Sequence, residues 1–117
     1  MADLAAQWIA EMRQGSADSP IADKVVLMNF TATPARQWAF IEAAIAVAES
    51  VDELYAIAAG PFEHLLGFHG DDYIDLVEGA AAADPKFAKM TTGAWKHLMS
   101  DGVWKRVQAI QAKAASR

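Results

Sequence analysis

The sequence predicts an all-α protein, and three observations carry that expectation. Apolar residues recur at helical spacing along nearly the whole chain, five residue pairs read as helix starts, and no segment alternates long enough to form a strand. At 117 residues, with 54% hydrophobic residues and four tryptophans, the chain has the material for one core within one domain spanning 1–117.

The helix starts come mainly from proline. Ser19-Pro20, Thr33-Pro34, Gly60-Pro61 and Asp84-Pro85 each place a favoured capping residue before a proline. Proline suits the first helical position because its missing N–H would have no partner there. Ser50-Val51-Asp52-Glu53 reads as a capping box, in which serine and glutamate satisfy each other's orphan backbone donors.

The elements follow in order. Residues 4–14 align Leu4, Trp8, Ile9 and Met12 ahead of Gly15, and residues 20–30 align Ile21, Val25 and Met28. Residues 34–49 carry Trp38, Ile41, Ile45 and Ala48, while 51–59 offer Leu54, Ile57 and Ala58. Residues 61–69 bring Phe62, Leu65 and Leu66, and a helix restarting after Gly70 brings Tyr73, Ile74, Val77 and Ala81. A helix from Pro85 holds Phe87 and Met90; a break at Thr91-Thr92-Gly93 precedes a stripe of Trp95, Leu98 and Met99. The last helix, after Asp101, aligns Val103, Val107, Ile110 and Ala114, with fraying expected over 111–117. These are about seven or eight short antiparallel helices, as a compact bundle or a HEAT-like stack. No repeat strong enough to define an array is present.

Charge is unevenly distributed. The net charge is −5, yet residues 42–84 hold ten carboxylates and no lysine or arginine, and residues 85–117 hold seven basic residues against Asp101 alone. The middle is thus −10 and the tail +6. An acidic surface for a basic protein partner is expected, and nucleic acid is disfavoured as a partner. The absence of cysteine removes disulfides and thiolate ligands. The first residues lack a basic region followed by a continuous apolar run, and no stretch suffices to cross a bilayer, so a cytoplasmic location and no membrane partner are expected.

The run from Ala59 to Asp75, AGPFEHLLGFHGDDYID, resembles the core of a family of small bacterial proteins of unknown function, with a G-P-(Leu/Phe)-E-x-L-L segment, then H-G, then an Ile-Asp pair. Trp8-Ile9, Pro34 to Trp38, Asp84 to Phe87 and Asp101 to Gln108 extend the likeness over most of the chain. Residues 15–33 are shorter and less polar than the family's usual second segment. The resemblance implies an all-helical fold and brings no activity.

One polar constellation is dense enough to consider as a site: Glu63, His64, His69, Asp71, Asp72 and Asp75. Carboxylates near imidazoles can bind a divalent metal or move protons. On one helix, however, His64 and His69 would point about 140° apart, and the H-E-x-x-H spacing is absent. The structural reading makes His69-Gly70 a helix end with Gly70 at positive φ, and Asp71 the cap of the next helix. His97 reads as a half-buried packing residue. Trp104 lies beside the stripe of the last helix and is the expected interface anchor. No nucleophile elbow or phosphate loop occurs, so no catalytic residue, metal or cofactor is assigned. The leading expectation is a non-catalytic protein-binding module of inhibitor or immunity type. The alternative is a metal-binding protein or metal-dependent enzyme built on His64, His69 and Asp71–Asp75.

Overall fold

Helices account for most of the chain in the computed structural model, which describes residues 2–15 and 19–116. The elements are α1 (Ala2–Arg13), α2 (Pro20–Thr31), α3 (Pro34–Val47), α4 (Val51–Ile57), a π-turn (Ala58–Phe62), α5 (Glu63–Ala83), α6 (Pro85–Thr91) and α7 (Asp101–Ala115). No strand occurs among the described residues. The expected all-α class is therefore observed.

Side-chain caps set most of the helix starts. Ser19 accepts from the Ala22 N–H, Thr33 from Arg36, Ser50 from Glu53, Asp84 from Lys86 and Ser100 from Val103, at 2.9–3.3 Å. Pro20, Pro34 and Pro85 occupy first helical positions, as expected. Gly60-Pro61 does not start a helix. Pro61 lies inside a helical run that continues from Val51 to Ala83, so fewer separate helices form than the seven or eight expected. Within that run proline cannot donate to a preceding carbonyl, and its ring crowds the carbonyl four residues back. The π-turn widens the spiral there, and the Glu63 N–H reaches back five residues to the Ala58 carbonyl.

The second expected restart is present as a kink. His69 has φ −135° and ψ 25°, non-helical values that separate two helical stretches within α5. Gly70 is not at positive φ; it is buried against α7, where a β-carbon would meet the Val103 methyls at 3.1 Å. Close approach of two helices, rather than a turn, explains that glycine. Asp71 falls in the first turn after the kink rather than at its cap. α7 is helical through Ala115, within the stretch where fraying is expected, and Arg117 lies outside the described residues.

Phe40, Ile41, Ile57, Phe62, Leu65, Leu66, Ile74, Val77, Met90 and Val107 form the centre of the core, each essentially inaccessible. Trp38 links Tyr73 and Phe87 around it, with ring centroids 5.9 and 5.6 Å away. The π-turn touches α2, α3, α4 and α5. A stacked array confines each unit to its sequence neighbours, so this arrangement is a compact globule instead. Its extents are 35 × 30 × 21 Å.

Arg13, at the end of α1, clamps the α3–α4 junction. Its Nε donates to Glu53 Oε2 at 2.8 Å, and its Nη2 donates to Glu53 Oε1 at 3.1 Å and to the Val47 carbonyl at 2.8 Å. Glu53 is buried and also accepts from the Glu49 N–H at 2.7 Å, so the expected capping box closes on the residue before Ser50. The Arg13 hydrogen bonds outweigh burial and hold the Glu53 carboxyl at about 2, below its ordinary 4.5. A group depressed in the folded state stabilises above the unfolded value, and that contribution disappears as pH falls towards 2. Glu53→Gln should cost about 2 kcal/mol at neutral pH, lowering the thermal midpoint by roughly 5–10 °C. Thermal midpoints measured from pH 7 downward should show the gap to wild type closing below about 4.5. A gap constant down to pH 2 would contradict this role for the pair.

Candidate docking surface

The six polar residues grouped by the sequence are distributed over four environments. Glu63 is buried at the start of α5, and its Oε2 accepts the Trp95 N–H at 2.9 Å. Burial raises its pKa, against the lowering effect of that hydrogen bond and of nearby His97. His64 is half-buried among rings. Phe30 of α2 meets it edge-on at 4.7 Å, Phe68 stacks on it at 6.0 Å, and the His97 ring lies 6.0 Å away. His69, Asp71 and Asp72 line an open cleft with Phe68 and Leu98. Asp75 accepts from Arg106 Nη2 at 2.5 Å, beside Glu78, which accepts from Arg106 Nε at 2.9 Å. Among the described residues, no group of three or more such side chains is placed to hold a metal ion. Trp104 is half-buried and packed on the core.

What stands out instead is apolar and non-local. Phe30 is 64% exposed, Phe68 56%, Trp95 76% and Leu98 56%. Phe30 and Phe68 flank His64 and line a common hollow, while Leu98 and Phe68 line the neighbouring cleft. Trp95 lies on the loop that carries Leu98, with its backbone N–H bonded to Glu63, the residue preceding His64. Large exposed aromatic groups gathered in one region mark interaction sites in soluble proteins.

Two sequence expectations are corrected here. Trp95 and Leu98 do not form a helical stripe with Met99, because residues 94–100 are not helical; Met99 alone of the three is buried. His97 is exposed rather than half-buried, with φ 46°, a left-handed conformation that non-glycine residues rarely adopt.

The loop between α6 and α7 is held in this shape from three sides. Gln111 of α7 donates to the carbonyls of Thr91 (2.8 Å) and Ala94 (3.0 Å). Glu63 takes the Trp95 N–H, and Gly67 lets Leu98 press onto α5, where an added β-carbon would lie 3.0 Å from Leu98 Cβ. Partly buried hydrogen bonds thus fix the backbone and leave the indole outside.

The sequence missed Phe30, Phe68, Trp95 and Leu98 as a group. Part of the signal was present. Val26, Leu27 and Phe30 fall outside the Ile21–Val25–Met28 stripe of α2, and all three are exposed.

Residues 10–115 match DUF6869, a family of unknown function, and the chain belongs to that family. Neither a curated protein nor a solved structure matches it. No helix among the described residues is long and apolar enough to cross a membrane.

His64 provides a direct check of the local geometry. Its Nδ1 is buried without a hydrogen-bond partner among the described residues, and burial, reinforced by His97, lowers its pKa. The folded protein therefore takes up this proton less readily than the unfolded chain, and the contribution to stability is lost as pH falls through the folded value. An NMR titration of the three histidines should place His64 below the ordinary histidine value, and His97→Ala should raise it. A His64 that titrates like a free imidazole in both proteins would contradict the arrangement.

Proposed function

We propose that this protein is a non-catalytic module that docks another protein through the Phe30–His64–Phe68–Trp95–Leu98 surface. The observation that carries the reading is the display of Trp95, 76% exposed, on a loop whose backbone is held by Glu63 and Gln111. An ordered loop that holds an indole in water offers a pre-organised anchor, and tryptophan is among the residues most enriched at binding hot spots. The dispersal of the histidines and carboxylates favours docking over a metal-dependent reaction. The acidic composition, with the likeness to small bacterial proteins, supports a cytoplasmic bacterial adaptor of inhibitor or immunity type.

The test is a triple variant, Phe30→Ser, Phe68→Ser and Trp95→Ser, used as bait in the producing cell beside the wild type. Exposed side chains of this kind contribute within about 0.5 kcal/mol each to folding, so the thermal midpoint should move little. Partner capture should fall at least tenfold, as removal of hot-spot residues typically does. Undiminished capture by the folded variant would refute the proposal.

A further inference from the structure

The surface carries information about the chemistry of its occupant. The hollow holding Phe30 and Phe68 and the cleft holding Phe68 and Leu98 share Phe68 and His69, so they adjoin at the kink of α5. The cleft is bordered by Asp71 and Asp72, both exposed and without an ion pair among the described residues. The next carboxylates along α5, Asp75 and Glu78, share an ion pair with Arg106, which offsets one of their two charges. No lysine or arginine lines either depression. The apolar face is therefore bounded by uncompensated negative charge about one helical turn from Phe68.

That charge separates the candidate occupants. A second copy seated on a two-fold axis would bring Asp71 and Asp72 towards their own equivalents, and like charges facing one another oppose association. Anionic lipid and nucleic acid phosphates meet the same repulsion. A cationic protein segment gains both terms, apolar contact and charge complementarity.

We propose that the surface takes a partner segment with an apolar anchor and a lysine or arginine within about one helical turn of it. The anchor rests against Phe30, Phe68 and Leu98, and the cation lies at Asp71 and Asp72. This inference rests on the docking reading above and specifies its partner.

The experiment places a photocrosslinking amino acid at Leu98 in the full chain, inside the producing cell, and identifies the crosslinked peptide by mass spectrometry. The expected peptide comes from another protein and carries Lys or Arg within four residues of an apolar side chain. Asp71→Lys with Asp72→Lys should reduce the crosslink at least tenfold, and Asp71→Asn with Asp72→Asn should reduce it by a smaller factor. Glu42→Lys with Asp52→Lys, the same change in net charge elsewhere on the exposed surface, should leave it near wild type. Circular dichroism confirms that each variant is folded. A crosslink to a second copy, a peptide lacking basic residues, or indifference to charge at positions 71 and 72 overturns this inference. If the crosslink survives charge reversal but is lost in the Phe30/Phe68/Trp95 variant, the docking reading stands while the cationic partner falls. No crosslink under any condition overturns both.

Discussion

A proline inside a continuous helix is the constraint from which the geometry of the surface follows. Pro61 can neither donate to a preceding carbonyl nor tolerate a tight turn around its ring, and the chain answers with one wide π-turn instead of a break. Widening by one residue rotates everything that follows. Directly after it, Glu63 reaches the Trp95 N–H and His64 meets Phe30. The same turn keeps Phe62 fully buried, edge-on to Phe87 at 6.3 Å. The irregularity therefore serves both sides of the helix, filling the core on one and orienting the polar anchors of the loop on the other.

Electrostatics within the molecule partly undo the asymmetry of its sequence. Arg106, from the basic tail, pairs with Asp75 and Glu78 of the acidic middle and offsets one of their two charges, and Arg13 pairs with Glu53. Burial differs between these sites and so does their weight. Arg106 and Asp75 meet near solvent, where a pair contributes little, whereas Glu53 is enclosed and would be costly to leave alone. The carboxylates that remain outside such pairs, Asp71 and Asp72 among them, dominate the local field.

Much of the helical framework was legible in the residues because capping is local. Ser19, Thr33, Ser50 and Asp84 act on backbone donors two or three residues away, and a reader of the sequence sees both ends of that interaction. Pro61 looks the same locally, with glycine before it, and only contacts with α2, α3 and α4 make the continuous helix preferable to a new start. At His69-Gly70 the expected break in the helix occurs, but the glycine answers Val103 some thirty residues later rather than a positive-φ turn of its own. The apolar surface was least legible because it draws on α2, α5 and a loop. Grouping residues by proximity along the chain selected Glu63 to Asp75, which a helix then spreads around its circumference. Helical spacing applied to Trp95 and Leu98 failed because the backbone there is not helical.

The glycines at 67 and 70 have a consequence for how sequences of this kind can diverge. Each leaves a gap on α5 that a neighbour fills, Leu98 at one and Val103 at the other, with no side chain intervening. Volume at 67 and 98 must then be exchanged, as must volume at 70 and 103: a methyl gained on the helix requires a smaller partner opposite, or the loop and α7 are pushed outward. Substitutions at these two pairs should travel together through descent, while the unpaired positions of α5 that face water drift independently.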